Sequence, residues 1–260
     1  VNIPQTIKRQ LQEYADRYEV ADFIIGDPSY FMHQVSGVEN QETTAFVAQA
    51  LSYGSRKQFM PKIESLLQAS GGDMYNWIKS GKFNSVIKAN NHTCFYRLYT
   101  NADMNAFLTS CRLLLNEHGS IGNYVRQNAQ TGFEAIDCLC RFFAKHGSGG
   151  IIPKDTTSCC KRVAMFLRWM VRTGSPVDLG LWTFISPSTL IMPLDTHVLT
   201  EAQSLSLISS RTASMSAAKR LTATLAEVFS DDPLKADFAL FGYGVTKQME
   251  SKLQTITTQE

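Results

Sequence analysis

Apolar side chains recur along this chain at spacings of three and four residues and almost nowhere at two. Ile7, Leu11, Tyr14 and Tyr18 repeat in this way. So do Phe107, Leu108, Cys111, Leu114 and Leu115, then Ile136, Leu139, Cys140 and Phe143, and later Ala218, Leu221, Leu225 and Val228. A turn of α-helix takes 3.6 residues, so each set forms one apolar stripe on a helix. An alanine-rich stretch from Glu42 to Leu51 and a short helix after Pro61, marked by Ile63, Leu66 and Leu67, extend the pattern. Only the residues from Tyr96 to Tyr99 and from Leu205 to Ile208 are candidates for short strands. The expected fold is all-α.

Glycine and proline divide the helices. Gly71-Gly72 ends one of them, Gly174-Ser175-Pro176 another, and Ser186-Pro187 begins a turn. The sharpest break is Gly147-Ser148-Gly149-Gly150-Ile151-Ile152-Pro153. A last helix is expected to fray after Thr246. With 260 residues, 44% hydrophobic and 18% charged, the chain can bury a substantial core as one large domain or as two lobes sharing it. A formal charge of +2 permits a nucleic-acid partner without requiring one. No apolar run is long enough for a membrane span, and Val1 to Glu13 contains no apolar signal region. A cytoplasmic protein without a membrane partner is expected. The six cysteines form no C-x-x-C pair and no four-cysteine spacing. They read as mostly buried free thiols, and neither metal nor cofactor is expected.

Two helix starts carry the candidate chemistry. Val163, Phe166, Leu167 and Met170 form the stripe of a helix that opens at Lys161. Unpaired backbone N–H groups and the positive end of the dipole at such a start disfavour a cation, and a neutral amine is a nucleophile. In Pro193-Leu194-Asp195-Thr196-His197-Val198, Asp195 stands where an N-cap belongs. If the two starts face one another, an amine and a carboxylate serve one reaction. Most lysines are solvated and most N-cap aspartates only cap, so both residues carry that plainer reading as well. His197 has no second histidine at a ligand spacing and reads as a buried hydrogen-bonding residue.

From Lys161 to Gly244 the chain resembles the DUF2400 family. The likeness is carried by Ser158-Cys159-Cys160-Lys161-Arg162, Met165-Phe166-Leu167-Arg168-Trp169-Met170-Val171-Arg172, Val177-Asp178-Leu179-Gly180 with Trp182, Pro193 to Val198, and Asp237-Phe238-Ala239-Leu240-Phe241-Gly242. A weaker likeness reaches back through Ala45 to Gln58. The family is similar to a distant branch of the helix-hairpin-helix DNA glycosylases, nearest to the archaeal 8-oxoguanine glycosylases.

That resemblance implies a two-lobed, glycosylase-like helical fold. Residues 37–145 would form one lobe, and residues 1–36 with 146–260 the other, with the N-terminal helix returning to pack on the C-terminal part. A divergent hairpin element would be built from Ile152-Pro153-Lys154-Asp155-Thr156-Thr157 in place of the usual leucine-proline-glycine-x-glycine turn. The implied activity is removal of an oxidised purine such as 8-oxoguanine from double-stranded DNA, with Schiff-base-mediated AP lyase activity, by a monomer.

Lys161 would be the nucleophile and Asp195 its assistant. Asp237 and Phe241 would line the base pocket, with Gln49, Tyr53 and Trp169 as further candidates. Gln49 and Tyr53 are expected on one helix face. Phe241 and Trp169 also read as core aromatics. Lys154, Arg162, Arg168, Arg172 and Arg56 are the candidates for DNA-backbone contacts, Arg168 and Arg172 as one basic helix edge. A non-catalytic DNA- or RNA-binding protein with the same fold, and a Schiff-base enzyme on a small carbonyl metabolite, are the alternative readings.

Overall fold

The computed structural model describes residues 3–257. Among the described residues the fold is carried by twelve α-helices: α1 (Gln5–Tyr18), α2 (Tyr30–His33), α3 (Val38–Leu51), α4 (Arg56–Ala69), α5 (Met74–Lys79), α6 (Asn101–His118), α7 (Ile121–Asn128), α8 (Gly132–His146), α9 (Lys161–Val171), α10 (Thr196–Ser204), α11 (Met215–Leu225) and α12 (Lys235–Thr257). A two-stranded antiparallel hairpin, β1 (Cys94–Tyr96) with β2 (Tyr99–Thr100), is the β-structure found there, so the fold is all-α. No described helix is long and apolar enough to cross a membrane.

Six of the helices begin where the sequence supplies a side-chain acceptor for their free N–H groups. Asp73, Ser120, Asp195 and Ser214 each cap the helix that follows, and Thr100 and Thr131 form reciprocal capping boxes with Asp103 and Glu134. Between these starts the apolar stripes meet in one contiguous core that runs from Ile3 to Leu240. Every residue of α3 from Glu42 to Leu51 is buried, as expected of a helix without a polar face. Its Phe46 ring centre lies 5.9 Å from Phe107 of α6, 5.3 Å from Phe143 of α8 and 5.0 Å from Phe166 of α9. Helices of the 37–145 stretch and of the 146–260 stretch therefore share this core.

The first and last helices lie side by side. Tyr14 meets Tyr243 at 6.0 Å, Tyr18 meets Phe241 at 6.0 Å, and Lys235 pairs with Asp16 at 2.8 Å. The approach is close enough to require glycine at position 242, where a Cβ would fall 2.1 Å from the Tyr18 ring. The N-terminal helix α1 thus packs along α12.

Four local expectations need correction. The helix expected after Pro61 begins at Arg56 and contains Pro61, because the apolar stripe starts earlier, at the buried Phe59. Tyr53 does not share a helix face with Gln49, because α3 ends at Leu51 and Tyr53 lies in the turn beyond. Of the two strand candidates, Tyr96 to Tyr99 is the hairpin and Leu205 to Ile208 is a turn after α10. The final helix continues past Thr246 to Thr257.

One buried carboxylate ties α3 to two distant segments. Glu42 is 2% exposed, and its oxygens accept from the Gly122 amide at 2.9 Å and the Trp182 indole at 2.7 Å. Burial pushes its pKa up to about 7, against the opposing pull of these donors. A carboxyl whose pKa is raised in the folded state favours folding while protonated. That contribution is complete below the unfolded value near 4.5 and is lost as pH rises toward 7. The full swing is on the order of 3 kcal/mol. Urea unfolding at a series of pH values should show a smaller decline between pH 4.5 and 7 in Glu42→Gln than in the native chain. Parallel curves would assign the carboxylate no such role.

Candidate active site

The chain from Asp155 to Cys160 leads into α9 through a left-handed residue. Cys160, the N-cap position, has φ +47° and gives α9 no side-chain cap. Lys161 follows as the first helical residue. Asp195, two residues beyond Pro193, caps α10 and divides its carboxylate between two partners. Its Oδ1 accepts from the Val198 amide at 2.8 Å, and its Oδ2 lies 2.7 Å from Lys161 Nζ. The two helix starts therefore face one another. Burial raises the Asp195 carboxyl, but the Lys161 ammonium and the Val198 amide outweigh it and hold the pKa below the usual carboxylate range. Both side chains keep about a third of their surface open, 37% for Lys161 and 32% for Asp195. The pair can therefore meet a ligand without unfolding.

A cavity of about 200 Å³ opens beside the pair. Phe23 and Phe241 supply aromatic wall, with ring centres 5.0 Å apart in an edge-on arrangement, and Met165 adds apolar surface. Asp27, Arg56, His197 and Asp237 supply the polar groups. Arg56 is half exposed and pairs with the nearly buried Asp27 at 3.3 Å. A second cavity, about 290 Å³, lies on the other side of Lys161, bounded by Ser52 to Gly54 and by Ser158 to Arg162.

Asp237 is held at the wall by a buried chain of charge. Arg168 donates to Asp237 and, at 3.2 Å, to Asp178. Asp178 also accepts from Arg172 at 2.5 Å, and Arg172 reaches Asp232 and Glu19, each at 2.7 Å. Both guanidinium groups lie over the Phe238 ring, 4.6 Å from its centre for Arg168 and 5.3 Å for Arg172. Burial raises the Asp178 and Asp237 carboxyls above their usual range, and the arginines oppose it.

Of the sequence candidates, Lys161, Asp195, Asp237, Phe241, Arg56 and Arg168 line the first cavity, and Tyr53, Arg162 and again Lys161 line the second. Lys154 is exposed on the loop before α9. Gln49 and Trp169 are fully buried and line neither cavity.

Arg168 and Arg172 do not form an exposed basic edge. Their side chains are 5% and 2% exposed, because the Asp178 carboxylate turns both inward. Arg162 is also committed. It donates to the carbonyls of Ala50 and Ile151 and to the Tyr99 hydroxyl, and it lies 5.3 Å from the Tyr53 ring centre, so it ties the glycine-rich loop to the end of α3.

Sequence reasoning missed Phe23, Asp27 and Met165. Met165 was accessible to it, four residues from Lys161 and so on the same helix face. Phe23 and Asp27 lie in an irregular stretch whose residues show no periodicity.

The chain belongs to the DUF2400 family. The family profile, described as "Protein of unknown function (DUF2400)", matches residues 27–246. No curated protein and no solved structure matches the chain.

Removing one partner from the buried charge network leaves the rest uncompensated. Arg172→Ala should cost about 3–5 kcal/mol of stability, measured by urea unfolding. A loss within the roughly 0.5 kcal/mol typical of surface sites would show that Asp178 does not depend on this guanidinium.

Proposed function

We propose that this protein is a DNA N-glycosylase with AP lyase activity that removes an oxidised purine such as 8-oxoguanine from double-stranded DNA. The carrying observation is the amine of Lys161, 2.7 Å from the Asp195 carboxylate at the wall of a small cavity with aromatic sides. A base to be excised must leave the stack and enter a pocket. The cavity, with Phe23 and Phe241 on its wall, suits one planar heterocycle. Asp237 and Asp27 are acceptors for its N–H groups.

As the bond from base to C1′ breaks, the sugar gains positive charge, which the Asp195 carboxylate stabilises. Lys161 adds to C1′ through Nζ while the base leaves with the bonding electron pair. Asp195 Oδ2, already hydrogen-bonded to Nζ, takes the proton that the amine must lose. The nitrogen lone pair then opens the sugar ring, the C1′–O4′ bond breaking and O4′ taking a proton, and the resulting Schiff base acidifies C2′, so that loss of that proton expels the 3′ phosphate. The face around Lys161 fits a duplex. Lys154 and Arg56 are open to phosphate, and Leu98, 85% exposed at the hairpin tip beside Arg97, is an apolar side chain free to enter a base step.

Borohydride should trap a covalent complex between the native chain and duplex DNA bearing 8-oxoguanine or an abasic site, and Lys161→Ala should abolish it. No complex with any of several lesions would overturn the reading in favour of a binding protein.

Asp195→Asn keeps a residue able to cap α10 but removes the charge. Single-turnover base release should slow roughly a hundredfold, with affinity little changed. An equal rate would leave Asp195 as a cap alone.

Replacing Arg56 and Lys154 together by alanine should weaken damaged and undamaged duplexes alike. The slope of log affinity against log salt should fall by about 0.9 for each phosphate that the protein no longer neutralises, read by fluorescence anisotropy. An unchanged slope would move the DNA face elsewhere.

A further inference from the structure

Two buried thiols meet directly behind Lys161. The sulfurs of Cys140, on the inner face of α8, and Cys160, the residue before Lys161, are 3.8 Å apart. Cys160 Sγ also lies 3.4 Å from the Asp155 carbonyl oxygen and 3.5 Å from the Ser158 hydroxyl. It borders the second cavity, about 290 Å³, together with Cys159 and Lys161, whereas Cys140 does not. A small molecule in that cavity therefore reaches Cys160 first and has Cys140 behind it.

The two thiols are unequal. The hydrogen bond from Cys140 holds the Cys160 thiol below its ordinary value, although burial opposes it, and Cys140 is raised correspondingly. The thiolate is the reactive form of cysteine. The neighbouring Cys159 reaches the other side of the site, with Sγ 3.0 Å from the carbonyl oxygen of Leu194, the residue before Asp195. The Cys159-Cys160 dipeptide thus touches the backbone on both sides of the Lys161–Asp195 pair.

We propose that Cys140 and Cys160 form a reversible oxidation site, at which a hydroperoxide entering the cavity beside Lys161 joins the two sulfurs and displaces the start of α9. The Cys160 thiolate attacks the terminal peroxide oxygen, the O–O bond breaks, and a sulfenic acid forms as the peroxide is reduced to an alcohol or to water. The Cys140 thiol then attacks the Cys160 sulfur, and the sulfenic hydroxyl leaves as water. Two thiols are oxidised and one peroxide is reduced. A disulfide has sulfurs about 2.05 Å apart, so the two sulfurs must close from 3.8 Å, and on this proposal the shift of Cys160 toward α8 carries the backbone of Lys161 with it. The amine then loses its hydrogen bond to Asp195.

The test needs no turnover, so its outcome is separate from that of the glycosylase reading. The full chain is treated with hydrogen peroxide, remaining thiols are alkylated, and the chain is digested without reductant for mass spectrometry. A Cys140–Cys160 linked peptide is expected, lost on adding dithiothreitol, and Cys140→Ser should leave Cys160 open to a sulfenic-acid probe such as dimedone. If Cys140 and Cys160 stay alkylatable while Cys94 or Cys159 oxidises, the site is refuted by the native chain alone. Acylation of Lys161 by an amine-specific reagent, read in the same digests, should rise roughly tenfold on oxidation, the equivalent of losing one charge-assisted hydrogen bond. Equal acylation before and after oxidation would overturn the coupling to Lys161.

Discussion

A carboxylate without access to solvent, Asp178, accepts from two guanidinium groups, that of Arg168 on α9 and that of Arg172 at its C-cap. Much of the C-terminal half is arranged around that contact. Arg168 and Arg172 are drawn beneath the surface and flattened over Phe238, and their remaining donors reach Asp237, Asp232 and Glu19 on three other segments. Such a cluster is costly to desolvate and more costly to break, which favours one arrangement of the segments over its neighbours. The site inherits that arrangement. Asp237 stands at the cavity wall because Arg168 holds it there, and Arg168 is oriented by Asp178. Specificity for a bound base, on the proposed reading, therefore rests on a carboxylate that never touches it.

The fold was readable because its signals are local. Helical stripes, capping residues and glycine breaks each act within a few residues, and the core is the sum of stripes that must be covered. The Lys161–Asp195 pairing was readable for a related reason. Each residue was placed by its own helix start, and the remaining condition was that the two starts meet, which they do at 2.7 Å.

Where sequence reasoning failed, the cause was long-range. Arg168 and Arg172 have the spacing of an exposed basic edge, and spacing carries no information about a buried counter-charge at Asp178. Gln49 does not reach the pocket it was a candidate for because α3 lies in the middle of the core and buries it, whereas Trp169, which also reads as a core aromatic, is one. Phe23 and Asp27 reach the cavity from an irregular segment that no periodicity describes. Arg162 reads as a phosphate ligand until the glycine-rich loop and the end of α3 are seen to offer it carbonyl oxygens.

The pairing of α1 with α12 has a temporal consequence. Phe241 forms part of the cavity wall while resting against Tyr18 and Phe23, so residues more than two hundred positions apart must meet before that wall exists. Contacts of such separation are slow to form and close late. During synthesis, the Lys161–Asp195 pair can assemble once α10 has emerged, but the cavity beside it must wait for α12. A nascent or truncated chain would thus carry the Lys161–Asp195 pair without the pocket that restricts what it meets, and the wall furnished by the last helix acts as the final check on assembly.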